Sequence, residues 1–150
     1  MRDALILREY WPTDPTRIEP RPDFAREHDL TGQPLFSGLR PEGVAWTLKA
    51  GPAKWAAPLA CGGLSPLGHD RWTAWLFAGE LDRRGWIKVA HAFRGLTVEV
   101  KARRVEATVR IDAEPGVIRF AERLGLTLEG RMKGFGPDGA DYYLYGGLFR

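Results

Sequence analysis

An α+β fold, with a central mixed and mostly antiparallel sheet of six to seven strands flanked by helices, is what this 150-residue sequence predicts. Three observations carry the prediction. Short apolar or alternating runs of strand length recur along the chain. Two segments with helical apolar spacing sit between such runs in its second half. The run at residues 71–78 is apolar in both parities, with Trp75 and Phe77 on one face and Trp72, Ala74 and Leu76 on the other. A strand covered on both faces, at the centre of a sheet, reads this way.

Residues 4–10 are a short apolar run and the first strand. Residues 12–41 then hold six of the eleven prolines, which excludes long helices there. Pro22 stands ahead of a short helix at residues 23–29, and Phe24, Leu30, Leu35, Phe36 and Leu39 anchor the rest of this loop-rich stretch. Residues 43–50 and 55–64 read as two strands joined by a turn around Gly51-Pro52, and the central strand at 71–78 follows. Asp82-Arg83-Arg84-Gly85 breaks that run. Trp86, Val89, Ala90, Phe93 and Leu96 then recur at helical spacing. Val105, Ala107, Val109 and Ile111 alternate with polar residues in a further strand. Pro115 suits the first turn of a second helix whose inner stripe is Val117, Ile118, Ala121 and Leu124, and Gly125 stops it. Residues 126–135 and 140–149 close the chain as a hairpin across residues 136–139.

The bulk properties bound the function. Apolar residues make up 44% and charged residues 27%, with six Trp, seven Phe and four Tyr, which excludes disorder and suggests one domain over residues 1–150. A formal charge of +3 suits an anionic small ligand better than nucleic acid. One cysteine excludes an internal disulfide and any multi-cysteine zinc site, and no metal site is expected: Cys61, His69 and His91 match no metal-binding spacing. No apolar run is long enough to cross a bilayer, so no membrane partner and a cytoplasmic location are expected. Lys101-Ala102-Arg103-Arg104 is a short basic cluster that reads as a solvated edge. The apolar C-terminal strand could pair with the edge of a second copy, giving a homodimer.

The junction at residues 79–86 is the first candidate site. A central strand that ends in a glycine-containing turn and opens a helix aims backbone N–H groups and the helix dipole at one point, which favours phosphate. Arg83 and Arg84 add charged donors there. Glu80, at the strand's end beside this loop, is the first candidate for a base, ahead of Asp112 and Glu106.

Arg83-Arg84-Gly85-Trp86-Ile87 resembles the pyrophosphate loop of the GNAT acyl-CoA N-acyltransferase superfamily, Arg/Gln-x-x-Gly-x-Gly/Ala, with Trp-Ile in place of the small residues. Ala121-Glu122-Arg123-Leu124-Gly125-Leu126-Thr127-Leu128-Glu129-Gly130 is similar to the family's helix-to-strand segment, Gly139, Asp141 and Tyr145 to its ending, and Cys61-Gly62-Gly63-Leu64 to its glycine-bearing third strand. The likeness covers residues 40–150, and the altered loop resembles that of GNAT-like proteins carried by bacteriophages.

The resemblance implies acetyl-CoA as co-substrate, lying between central strands that separate near Thr73 and Val105. Its pantetheine would pair with backbone at Phe77, Ala78, Gly79 and Leu81, and its pyrophosphate would sit at Arg83, Arg84, Gly85, Trp86 and Ile87. An N–H near Ala78 or Gly79 would polarise the acyl carbonyl, and an amine acceptor would attack directly. Many members carry a tyrosine acid four residues before the helix-ending glycine; Ala121 stands there, which leaves Tyr143 or Tyr145 for the role. Two other readings remain: a GNAT-like scaffold serving only for binding or structure, and a basic nucleic-acid-binding domain.

Overall fold

The computed structural model describes residues 4–22, 42–136 and 138–149. The short helix expected at residues 23–29 and the apolar anchors around it lie outside the described residues. Seven strands form one sheet in the order β1-β2-β3-β4-β5-β7-β6: β1 (Ile6–Glu9), β2 (Val44–Lys49), β3 (Pro58–Gly68), β4 (Arg71–Ala78), β5 (Arg104–Arg110), β6 (Thr127–Met132) and β7 (Tyr142–Leu148). All neighbours are antiparallel except β4 and β5. This is the expected mixed, mostly antiparallel α+β sheet.

The β4–β5 crossover runs through α1 (Arg83–Glu99), and α2 (Pro115–Arg123) follows β5. A 3₁₀ turn at Asp14–Arg17 follows β1. Both helices pack on one face of the sheet, where Trp46, Leu64, Val89, Phe93, Val105, Ala121 and Tyr145 share a core. Tyr10, Ile18, Cys61 and Phe77 form a second cluster on the opposite face. The segment around the 3₁₀ turn thus contributes Tyr10 and Ile18 to the cover of this face. Its Asp14, 2% exposed, accepts hydrogen bonds from Thr47 Oγ1 (2.7 Å) and Trp11 N–H (2.9 Å), which satisfies an otherwise costly buried carboxylate. Burial pushes the Tyr10 phenol up to about 12 and, more strongly, raises the Cys61 thiol.

Both ends of the third strand and one sheet edge differ from the sequence reading. The third strand begins at Pro58, not at residue 55; Trp55 is 81% exposed in the preceding loop. It also continues to Gly68, then turns through His69 and Asp70, both with left-handed backbone (φ 54° and 59°), into β4. Two successive positive φ values are what a two-residue hairpin of the right twist needs, and Asp tolerates them although the usual Asn-Gly signal is missing. Finally, β7 is paired on both sides, by β5 and β6, so the C-terminal strand is no edge; the sheet's edges are β1 and β6.

The end of α2 follows its sequence signal closely. Gly125 takes φ 87°, and the N–H groups of Gly125 and Leu126 reach back to Glu122 O (3.0 Å) and Ala121 O (3.2 Å), the paired bonds of a Schellman stop. On the sheet face away from the helices, Arg110 is 7% exposed and holds Asp138 with two bonds of 3.0 and 2.9 Å and Asp112 with one of 3.1 Å. Arg110 thereby ties the β6–β7 turn to the end of β5.

Two stability predictions follow from these contacts. Gly62 lies where a Cβ would sit 2.8 Å from Trp46 Cζ2 and 2.8 Å from the backbone oxygen of Trp75. Gly62→Ala therefore lowers unfolding free energy by about 1–3 kcal/mol in a urea titration; an unchanged midpoint would refute this packing. Arg110 holds the Asp138 carboxyl at about 2, well below its ordinary value. A depressed folded-state value gives stability that is present above the unfolded value and lost as pH falls through the folded one. Wild type should thus exceed Asp138→Asn in urea midpoint above about pH 4, with the gap closing towards pH 2.

Candidate functional site

The parallel pairing of β4 with β5 covers only Arg71–Thr73 against Arg104–Glu106. Beyond it the strands separate, while β4 stays paired to β3 through Ala78 and β5 to β7 through Arg110. The open edge this leaves on β4 has a definite parity. Gly79 N–H donates to Leu59 O (2.9 Å), and antiparallel pairs alternate between bonded and non-bonded. Ala74, Leu76 and Ala78 therefore turn their N–H and C=O groups away from β3, towards the gap. Of the two amides considered for polarising a carbonyl, that of Ala78 faces the gap and that of Gly79 is used within the sheet. Arg21 N–H already donates to Ala78 O (3.1 Å).

A groove of about 700 Å³ lies between α1 and α2, and Arg21, which lines it, is also the residue bound to Ala78 O. Trp86, Ala90 and Phe120 line it, the Trp86 and Phe120 rings lying 5.0 Å apart. Arg21, Arg83, Arg94, Arg119 and Arg123, with His91, supply its polar lining, and among the described residues no carboxylate lines it. From Arg83 to Arg94 the helical rise makes this wall roughly 16 Å long. At its far end Arg94 donates to Arg123 O (3.1 Å). Among the described residues no carboxylate pairs with Arg83, Arg94, Arg119 or Arg123.

The residues singled out in the sequence distribute as follows. Arg83, Trp86 and Ile87 line the groove, and Gly85 is buried beneath it against Leu81. Arg84 points elsewhere, 3.9 Å from Asp82. Phe77 turns into the second core cluster, on the face away from the groove. Glu80 is exposed beyond the end of β4. Tyr143 and Tyr145 project from β7 towards the helix face and contact each other edge-on at 6.4 Å. Tyr145 is 3% exposed, and burial first, then Glu122 and Tyr143, raises its phenol. Of the alternative bases, Glu106 is held by Arg104 (2.8 Å) and Arg71 (3.1 Å), and Asp112 by Arg110. The basic cluster at 101–104 is likewise partly neutralised, since Arg104 binds Glu129 and Glu106.

Sequence reasoning missed two features. Asp82 is the N-cap of α1, its side chain accepting from Gly85 N–H at 2.9 Å, so one first-turn amide is occupied and a negative charge stands at the helix start. The preference of Asp for that position was the available signal. Arg119 and Arg123 were also missed; they share a face with Gly116 and Phe120 at three- and four-residue spacing, which only the inter-helix geometry turns into a site.

Among the described residues no cluster of His, Cys, Asp and Glu could hold a metal ion, and no helix is long and apolar enough to cross a membrane. No family model and no curated protein matches the sequence. Solved structures do. A protein assigned as a phosphinothricin N-acetyltransferase shares 14% identity over 98% of this chain and 99% of its own, with a TM-score of 0.71. Ard1 from Thermoplasma volcanium shares 19% over 98% and 99%, with a TM-score of 0.68. A GNAT-family acetyltransferase from Bacillus anthracis shares 13% over 99% and 96%, with a TM-score of 0.66. The chain has the fold of the GNAT N-acetyltransferases.

The cap makes a prediction of its own. Asp82→Ala should cost about 1 kcal/mol of stability and strengthen binding of inorganic pyrophosphate by removing a like charge. Unchanged pyrophosphate binding in the variant, measured by calorimetry, would show that the anion lies away from this helix start.

Proposed function

We propose that this protein is an N-acyltransferase that takes an acyl-CoA, acetyl-CoA first, and transfers the acyl group to a primary amine. The observation that carries the reading is that Arg21, bound through its N–H to Ala78 O on the open edge of β4, also lines the arginine-rich groove. The gap offers an extended line of backbone donors and acceptors on Ala74, Leu76 and Ala78, suited to an amide-bearing arm. The groove offers Arg83, Arg94, Arg119 and Arg123 without carboxylate partners, suited to a nucleotide's phosphates. Trp86 and Phe120 give an aromatic floor. The GNAT fold of the chain supports the same class.

Bound acetyl-CoA supplies an activated acyl thioester. Ala78 N–H is placed to accept charge building on a carbonyl oxygen in the gap. Glu80 is the base we assign to the incoming ammonium, because it is exposed, has no ion pair among the described residues and stands two residues after Ala78 in sequence. Tyr145, with Tyr143 beside it, is the acid we assign to the departing thiolate: its raised phenol keeps its proton through neutral pH, and both rings project to the groove's face of the sheet. Positioning rather than a covalent intermediate on the protein carries the rate.

Calorimetric titration tests the reading. Acetyl-CoA should bind saturably at micromolar concentration, desulfo-CoA similarly, and ADP more weakly; no binding at millimolar acetyl-CoA would overturn it. In an amine screen, Glu80→Gln should lower kcat by about 10²–10⁴-fold with KM for acetyl-CoA unchanged, and wild-type turnover would remove Glu80 from the reaction.

A further inference from the structure

Arg21 differs from the other groove arginines. It comes from the segment after the 3₁₀ turn rather than from a helix, and that segment lies across the end of β4: Glu19 O sits 2.6 Å from where a Gly79 Cβ would be, and Arg21 N–H binds Ala78 O. The Arg21 guanidinium then passes over the Trp86 ring at 5.6 Å and forms an ion pair with Glu114. Glu114 is the N-cap residue of α2, yet its side chain makes no capping bond. Its carboxylate faces Arg21 instead of its own helix amides. The contact therefore bridges the two sides of the gap, from the end of β4 to the start of α2, at the mouth of the groove.

The two partners are unequally held. The Arg21 side chain is 13% exposed, fixed by its backbone bond and by the Trp86 ring; the Glu114 side chain is 54% exposed. An ion pair whose carboxylate is half in water is weak, whereas guanidinium–phosphate contacts are bidentate and short. Glu114 also places a negative charge at the entrance of a groove otherwise lined by cations.

We propose that the Arg21–Glu114 pair is an exchangeable latch: an anionic ligand entering the groove takes Arg21 from Glu114, so ligand affinity is set by competition between a phosphate and this carboxylate for one guanidinium. The latch rests on the acyl-CoA reading only for the identity of the ligand; the exchange itself requires a phosphate-bearing anion in the groove. It makes Arg21 a ligand-binding residue and Glu114 an internal competitor. Glu114 limits affinity in the free protein and is released at the gap's mouth once the ligand is seated.

The test is a double-mutant cycle on the full chain, read by calorimetry with inorganic pyrophosphate, ADP and CoA as probes. Glu114→Gln should tighten pyrophosphate and ADP binding by about threefold to tenfold. Arg21→Gln should weaken it by a similar factor. In the Arg21→Gln background, Glu114→Gln should change affinity by less than about twofold, because the competition no longer exists. Glu122→Gln, on the same helix but outside the groove lining, controls for loss of a charge from α2 and should leave affinity within about twofold; Arg21→Lys, which keeps the charge, guards against a folding defect in Arg21→Gln. Equal effects of Glu114→Gln in both backgrounds would overturn the latch, as would failure of all three probes to bind wild type. Coupled binding of pyrophosphate and ADP with no binding of CoA would leave the latch standing and sink the acyl-CoA reading alone.

Discussion

The three-residue pairing of β4 with β5 is the constraint on which the rest of the site depends. A longer parallel ladder would close the edge of β4 and leave no gap. Above the sheet, α1 and α2 start a short turn after β4 and β5, and Trp86 and Phe93 of α1 both meet Phe120 of α2, with ring centroids 5.0 and 6.4 Å from it. Three aromatic rings wedged between two helices set the helix separation, and the strands that lead into those helices must follow. The same wedge floors the groove, so one packing decision produces both the gap and the surface beside it.

Charge is distributed with the same division. On the face away from the helices, arginines are matched to carboxylates: Arg104 and Arg71 with Glu106 and Glu129 where β4 and β5 meet, Arg110 with Asp112 and Asp138 where the last hairpin turns. These contacts place cations and anions together and cancel their fields beyond a Debye length. Among the described residues the groove arginines have no such matching apart from Arg21. A chain with a formal charge of only +3 can therefore present a concentrated positive surface in one place, and a groove with apolar walls focuses that field further.

Much of this was legible in the sequence, for identifiable reasons. Strand and helix order followed from periodicity, and the stop at Gly125 from a residue whose left-handed backbone the structure uses directly. The doubly apolar run at β4 revealed a central strand because both faces of that strand are packed. Other features were hidden. The His69-Asp70 turn lacks the glycine or asparagine that marks such hairpins, and Pro66 disguised a strand because prolines usually end one; opposite Trp72 it stands at a non-bonded pair, where β4 asks no N–H of it. The groove was hidden most deeply. Arg83 belongs to a local motif, but Arg119 and Arg123 acquire meaning only when α2 is laid beside α1, and Arg21 only when the N-terminal segment crosses β4.

The altered loop at the start of α1 bears on how the proposed acyl-CoA site would recognise phosphate. A loop of the Gly-x-Gly kind presents bare backbone amides, and close approach needs small residues. Here Asp82 occupies the Gly85 amide, and Trp86 and Ile87 bring bulk where small residues are otherwise used. Taken alone, that argues for a lost site. Yet Trp86 turns sideways onto Phe120 instead of filling the anion's place, and guanidinium groups stand along both helices over the length of the groove. Side-chain donors on long stems reach further than amides and bring full charges, whereas a capped helix end brings only a partial one offset by its own carboxylate. In the proposed acyl-CoA site, the weight of phosphate recognition would lie on the side chains of two helices rather than on the backbone of one loop. In that reading Asp82 is tolerated because a phosphate held from the sides would leave the helix start free to be stabilised by its own cap.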